Sequence, residues 1–87
     1  MEKYPFLSEA TVRVIKRLRA EFGFSQEKLA EKSALDRLYV LHIEQGKFRP
    51  TLNSIFFLSD GLGLEPNEFI KLIEQERRKI EQEVKSE

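Results

Sequence analysis

The stretch SQEKLAEKSALDRLYVLHIEQG, residues 25–46, decides the fold of this chain. Ser25 and Asp36 are residue types that accept hydrogen bonds from the free N–H groups at the start of a helix. Gly46 suits a left-handed stop after the second helix. The residues that repeat between these signals at helical spacing are Leu29, Ala30, Val40 and Ile43. The stretch therefore predicts two short helices joined by a tight turn and packed at a steep angle.

This order of residues resembles the motif of the Cro and lambda-repressor-like helix-turn-helix proteins, the Xre type of transcriptional regulator. Their motif is roughly Ser-Gln-x-x-Leu-Ala, a polar residue that opens the recognition helix, Glu-x-Gly, and a proline soon after. The residues that match it are Ser25, Gln26, Leu29, Ala30, Asp36, Val40, Ile43, Glu44, Gly46 and Pro50. The resemblance covers about residues 11–73 and implies an all-α fold, a compact five-helix lambda-repressor-like DNA-binding domain.

Residues 35–40 also resemble the controller proteins of restriction-modification systems, which regulate their own operon as dimers. Leu38 and Leu41 depart from that pattern, because the family generally places small or polar residues at these two positions. Antitoxins and phage repressors share the same core, so the resemblance leaves the subfamily open.

Length and composition favour one small globular domain. The chain has 87 residues, of which 34% are charged and 40% hydrophobic. It has no cysteine and one histidine, so neither a disulfide nor a metal site is expected, and nothing indicates a cofactor. Apolar runs are far shorter than the roughly 20 residues that span a bilayer, and the first residues lack a secretory apolar segment. We expect a cytoplasmic protein that does not enter the membrane.

The formal charge is zero overall but differs between the two parts of the chain. Residues 1–50 hold ten lysines and arginines and seven acidic residues, a formal charge of +3. Residues 51–87 hold five and eight, a formal charge of −3. The basic part contains the motif, which favours binding to a polyanion through a few placed contacts.

A first helix is predicted over about residues 9–22, with Ser8 as its N-cap and Gly23 at its end. The apolar face of this helix is expected to hold Val12, Ile15, Leu18 and Phe22. Arg19 lies near the middle of that apolar face, so its guanidinium needs a partner. Glu44 is the expected partner, and the resemblance implies the same pair and a contact from Arg19 to a DNA phosphate. The alternative is that both side chains extend to solvent.

A fourth helix is predicted over about residues 52–62, capped by Thr51 and stopped by Gly63, and a fifth from Pro66. The inward face of the fourth helix is expected to hold Leu52, Ile55, Leu58, Ser59 and Leu62.

We divide the chain into a helix-turn-helix DNA-binding domain at residues 1–74, with the motif at 25–46, and a charged C-terminal helical extension at residues 75–87. The extension is mostly charged, with acidic and basic residues spaced four apart. It is either a solvated helix that frays at its end or a helix that adds contacts across a dimer.

One side of the recognition helix is expected to face away from its buried residues and to carry Leu38, Leu41, His42 and Gln45, with Arg37 at one edge and Tyr39 at the other. Arg37 is the best base-reading candidate, since guanidinium can bond both O6 and N7 of guanine. The alternatives for Arg37 are a phosphate contact or a pair with Asp36. Leu38 and Leu41 can touch thymine methyl groups or form an apolar patch that binds protein. His42 donates to a base edge or a phosphate, or is merely exposed.

Three polar residues outside the recognition helix are candidates for phosphate contacts. Gln26 matches the family glutamine that clamps a phosphate and braces the recognition helix, and the helix N-terminus there also favours an anion. Lys47 and Arg49 lie in a basic loop just after the motif and can reach the sugar-phosphate backbone.

Phe57 projects away from the core face of the fourth helix, and an exposed phenylalanine on a small domain more often marks a contact surface than an accident. The resemblance implies a dimer interface on the fourth and fifth helices, so we expect Phe57 and Ile70 in it. The alternative is that Phe57 is buried under the N-terminal segment or the C-terminal helix.

These observations predict a transcriptional regulator that binds double-stranded DNA sequence-specifically as a homodimer on a pseudo-palindromic operator. The alternative is an antitoxin-like or other protein-binding module with the same fold. An enzyme is not expected, because the sequence offers no nucleophile-base pair, glycine-rich phosphate loop or carboxylate cluster. No small-molecule substrate is evident.

Overall fold

The computed structural model describes residues 4–86, and those residues form five helices without a strand. The helices are α1 (Leu7–Phe22), α2 (Gln26–Ser33), α3 (Arg37–Glu44), α4 (Leu52–Gly61) and α5 (Pro66–Ser86). The all-α, five-helix prediction is confirmed. Residues 1–3 of the predicted DNA-binding domain and residue 87 of the predicted C-terminal extension lie outside the described part of the chain.

Three helices begin at the predicted polar caps. The Ser25 hydroxyl accepts from the Lys28 N–H group at 3.0 Å, and the Asp36 carboxylate accepts from the Leu38 N–H group at 2.8 Å. At the start of α4, the Thr51 hydroxyl caps the helix in the same way. Each of these side chains supplies an acceptor for a backbone donor that has no partner within its helix. The predicted starts of α2, α3 and α4 are therefore confirmed.

The start of α1 differs from the prediction. Ser8 is the second residue of the helix, so its assignment as the N-cap is wrong. The helix instead follows Phe6, whose backbone is left-handed (φ 73°) and whose carbonyl accepts from the Ala10 N–H group at 2.8 Å. A backbone turn starts this helix without a side-chain cap. The predicted end at Gly23, with φ 69°, is confirmed.

One hydrophobic core joins the helices, with α1 packed on α5 and α2 packed on both α3 and α4. The buried apolar residues are Ala10, Val14, Ile15, Leu29, Ala30, Val40, Ile43, Ile55, Leu58, Leu62, Phe69, Ile73 and Ile80. Four apolar residues of the predicted inward faces are not among them, because Phe22 and Leu52 are exposed and Val12 and Leu18 are only half-buried. The Phe22 ring stacks on Phe24, with ring centroids 5.3 Å apart. Packing against α5 turns the face of α1 that carries Val14 inward and leaves Phe22 at the edge.

The helix α5 continues without a break to Ser86, and its second half packs on α1. Ile80 is buried, and the buried Glu76 carboxylate accepts hydrogen bonds from Arg17 at 2.9 Å and Arg13 at 3.4 Å. Burial raises the pKa of Glu76, but the bonds from the two arginines outweigh this and hold the pKa below its usual range. The predicted boundary at residue 74 falls inside this helix, and the division into domain and extension stays a prediction.

Candidate nucleic-acid interface

The turn between α2 and α3 sets the angle between the two helices. Ala34 takes a left-handed conformation with φ 54°, which is uncommon for a residue other than glycine. The Leu35 N–H group donates to the Ala30 carbonyl at 2.9 Å and closes the end of α2. Leu35 packs against the core, and Asp36 then opens α3. The turn therefore places the N-terminal end of α3 at the surface, with its C-terminal part against the core.

A buried hydrogen-bonded cluster holds the C-terminal end of α3 against α1 and α2. Glu44 is 3% exposed and accepts from Arg19 twice, from Nε at 2.7 Å and from Nη2 at 2.9 Å. Gln26 donates to the same carboxylate at 3.1 Å, and Arg19 also donates to the Phe24 carbonyl at 2.9 Å. The predicted pair of Arg19 and Glu44 is confirmed. The cluster joins α1, α2 and α3 through one carboxylate.

The outward side of α3 carries residues of different exposure. Arg37 is exposed at the start of the helix, and the Leu38 side chain beside it is 52% exposed. Leu41 and His42, one turn further along, are half-buried. An exposed guanidinium and an exposed leucine thus stand together at the N-terminal end of α3. The structure brings these four predicted reading residues to one surface.

Tyr39 occupies a different position from the other predicted reading residues. It is half-buried, packs against the core, and its hydroxyl lies 2.6 Å from the Ser54 hydroxyl of α4. The Phe48 ring lies between Tyr39 and His42, with ring centroids 6.0 Å from Tyr39 and 4.8 Å from His42. Ser54 was not predicted as a partner of Tyr39. Its signal was a second hydroxyl three residues after the Thr51 cap.

The loop after α3 brings two cations close to the end of that helix. Gly46 is left-handed, with φ 77°, and the Lys47 N–H group donates to the His42 carbonyl at 2.9 Å. Lys47 and Arg49 are both exposed on either side of Phe48. Exposed cationic side chains thus stand at both ends of α3, Arg37 at its start and Lys47 and Arg49 in the loop after its end.

Large apolar side chains are also exposed on α4 and α5. Phe57 is 40% exposed and Ile70 is 46% exposed, so the predicted dimer residues are both at the surface. Phe56 and Leu52 on α4 are also exposed, which the sequence analysis did not expect for Leu52. These four side chains are among the large apolar residues that this small domain exposes.

The capped helix pair, the buried carboxylate cluster and the exposed end of α3 define the helix-turn-helix class of protein. A helix-turn-helix family model matches residues 15–69. The chain belongs to the helix-turn-helix family of transcriptional regulators, as the motif predicted. Within residues 4–86, no helix is both long and apolar enough to cross a membrane, and no group of acidic or histidine side chains is placed to hold a metal.

Two curated relatives carry the same class name. The chain is 50% identical over 38 residues to the uncharacterized HTH-type transcriptional regulator YgzD of Bacillus subtilis (strain 168), a match that covers 44% of this chain and 58% of YgzD. It is 30% identical over 66 residues to an uncharacterized HTH-type transcriptional regulator of Methanothermobacter thermautotrophicus, covering 76% of this chain and 96% of that protein.

Solved structures of a restriction-modification controller protein, C.Esp1396I, share the fold. The wild-type protein superposes with a TM-score of 0.75 at 37% identity, covering 82% of this chain and 91% of that chain. The tetramer of the same protein in complex with its natural 35 base-pair operator gives a TM-score of 0.77 at 36% identity, covering 83% and 95%. These matches agree with the resemblance to controller proteins that residues 35–40 indicated.

Proposed function

We propose that the chain acts in the cytoplasm as a sequence-specific DNA-binding regulator, a homodimer on a pseudo-palindromic operator. The observation that carries this proposal is the geometry of α3. Hydrogen bonds to Glu44 hold its C-terminal end against the core, while its N-terminal end exposes Arg37 and Leu38. A helix held in this way can enter the major groove without reorganising. The operator complex of the similar controller protein supports the same arrangement.

In this proposal, contacts divide into those that read bases and those that bind phosphates. Arg37 reads guanine, and Leu38 meets a thymine methyl group at the same end of α3. The other base-side contacts come from Leu41 and His42, and Tyr39 contributes by supporting α3 through its contact with Ser54. The phosphate contacts come from Arg19, Gln26, Lys47 and Arg49. Arg19 and Gln26 would make these contacts from beside α3, because both hydrogen-bond to the carboxylate that fixes this helix.

Dimerisation places two such reading helices on one duplex. The exposed Phe57 and Ile70 support an interface on α4 and α5. Two-fold symmetry then sets the two α3 helices about one DNA turn apart, roughly 34 Å. The operator is therefore expected to be pseudo-palindromic with half-sites one turn apart.

Selection of bound duplexes from a random library, followed by gel shift, tests the proposal. We expect enrichment of one pseudo-palindromic sequence and at least about a thousandfold preference for it over a scrambled duplex at physiological salt. Equal affinity for selected and scrambled duplexes would sink the proposal.

Arg37→Ala is expected to weaken binding to the selected duplex by about 1–3 kcal/mol and to relax the choice at one base pair of each half-site. The physical reason is the loss of a bidentate bond to guanine. Competition gel shifts with all single-base variants of the selected duplex measure this. Arg78→Ala is the matched control, an exposed arginine on α5. An equal loss on every duplex would instead assign Arg37 to a phosphate.

Phe57→Asp is expected to weaken the dimer by at least about 2 kcal/mol, or roughly 30-fold in dissociation constant. A carboxylate in the middle of an apolar interface loses its hydration without gaining a partner. Sedimentation equilibrium across a concentration series measures the change. Phe22→Asp is the matched control, since Phe22 is also exposed but stands at the end of α1. Unchanged association for Phe57→Asp would place the interface elsewhere.

The exposure of Leu38 favours one second candidate, a module that binds a protein through Leu38 and Leu41. A salt titration separates the two functions. DNA binding through several phosphates weakens steeply between 50 and 200 mM salt, by about a thousandfold for six contacts. Apolar contact with a protein changes little over the same range.

A further inference from the structure

A chain of three hydroxyl groups connects α3 to the start of α4. The Tyr39 hydroxyl lies 2.6 Å from the Ser54 hydroxyl, which in turn lies 2.9 Å from the Thr51 hydroxyl. Thr51 is the N-cap of α4 and also accepts from the Ser54 N–H group at 3.1 Å. Ser54 is buried, so its hydroxyl is held inside the protein between the two helices.

Aromatic packing holds the other side of the Tyr39 ring. Phe48 lies against Tyr39 and meets the His42 ring edge-on at 4.8 Å. Tyr39 is therefore held at its ring by Phe48 and at its hydroxyl by Ser54. Because both contacts act on α3 through long side chains, they restrict the rotation of this helix about its own axis.

We propose that Ser54 is a positioning residue for base reading, which acts by holding Tyr39 and through it the rotation of α3. The inference rests on the proposed function. Ser54 does not lie on the reading surface, and it acts through α3 alone. The proposal places the Tyr39 hydroxyl on the inner side of α3. Its contact with Ser54 there orients the residues that read bases.

The position of Ser54 gives this contact a second consequence. Ser54 is three residues before Phe57, on the helix that carries the proposed dimer interface. The hydroxyl chain therefore relates the rotation of α3 to the helix through which two copies associate.

Base-edge bonds need well-placed donors, whereas phosphate contacts tolerate small shifts. Loss of the Ser54 hydroxyl should reduce sequence discrimination more than general affinity for DNA.

The experiment compares Ser54→Ala, Tyr39→Phe and the double variant with the unsubstituted 87-residue chain. Affinities are measured for the selected duplex and for a scrambled duplex, with circular dichroism to verify that each variant is folded. Ser59→Ala is the matched control, because the Ser59 hydroxyl is also buried on α4 but donates to the Ile55 carbonyl of its own helix at 2.7 Å.

We expect Ser54→Ala and Tyr39→Phe each to lose about tenfold in affinity for the selected duplex, and the double variant to lose no more than either. Affinity for the scrambled duplex should stay within about twofold, and Ser59→Ala should leave the preference unchanged. This pattern would establish the positioning role.

Each other pattern overturns the inference in a recognisable way. Unchanged discrimination in Ser54→Ala means that the hydroxyl chain does not orient α3. A larger loss in Tyr39→Phe that adds to the loss in Ser54→Ala means that the Tyr39 hydroxyl binds DNA. An equal loss in Ser59→Ala means that any weakening of α4 has this effect. If the unmodified chain itself shows no preference, the proposed function fails first.

Discussion

Arg19→Ala is expected to lower the free energy of unfolding by about 3 kcal/mol or more. Arg19 donates to both oxygens of Glu44, and that carboxylate is almost fully buried. Removing the guanidinium leaves a buried charge that, among residues 4–86, keeps the hydrogen bond from Gln26. The desolvation of the carboxylate is then no longer compensated, which is more costly than the loss of a surface pair. Urea denaturation followed by circular dichroism measures the change.

Arg78→Ala is the matched control for this prediction. Arg78 also pairs with a glutamate, Glu74, at 2.9 Å, but its side chain is mostly exposed and the partner is one helical turn away. Such pairs typically contribute a few tenths of a kcal/mol. Similar effects of the two substitutions would contradict the view that burial of Glu44 makes Arg19 important.

Gly61→Ala is expected to destabilise the fold by about 2–3 kcal/mol. A Cβ atom at Gly61 would lie 2.9 Å from the Ser33 backbone nitrogen and 3.0 Å from the Ser33 Cα, and would also meet its hydroxyl. Because two of these atoms belong to the backbone of α2, the clash can be relieved only by moving α2 away from α4. Thermal and urea denaturation both report the loss.

Two further substitutions separate this effect from a general intolerance of alanine for glycine. Gly23→Ala adds a Cβ in open space, so it should cost only about 1 kcal/mol, from the left-handed backbone with φ 69°. Ser33→Ala removes a buried hydroxyl that has no hydrogen-bond partner among the described residues. Combined with Gly61→Ala it should recover only part of the loss, since the backbone contacts remain. Full recovery would assign the clash to the hydroxyl alone.

Local signals were enough to predict much of the fold. The polar caps at Ser25, Asp36 and Thr51 act on backbone groups of their own helix, so residue type and position predict them without knowledge of the rest of the chain. The pair of Arg19 and Glu44 was predicted for a different reason. Both charges fall on faces that otherwise carry buried residues, and a buried charge requires a partner.

The two wrong inward assignments share one physical cause, and the wrong cap has another. Phe22 and Leu52 were assigned to inward faces from helical spacing, but each is exposed at the end of its helix. Spacing defines which residues share a face, whereas the direction of the neighbouring helix decides how far along that face the contact extends. Ser8 was assigned as a cap from its residue type, yet a left-handed backbone at Phe6 starts α1 instead.

In the C-terminal part of α5, too, the local sequence predicts the helix, but the packing of helices decides which charges are buried. Its charged sequence predicted helix, and the structure has helix to Ser86. The burial of Glu76 between Arg13 and Arg17 could not be read from that sequence, because the partners lie on α1, about sixty residues earlier. Spacing within one helix contains no information about charges on another.

The sequence by itself determined the helix-turn-helix unit at residues 25–46, because its caps, its apolar spacing and its left-handed stop depend on residues close together in the chain. Only the tertiary structure decided which side chains hold that unit in place. The contact of Tyr39 with Ser54 and the approach of Gly61 to Ser33 join helices that are separated in sequence. Such contacts arise from the packing of whole helices, and no local pattern specifies them.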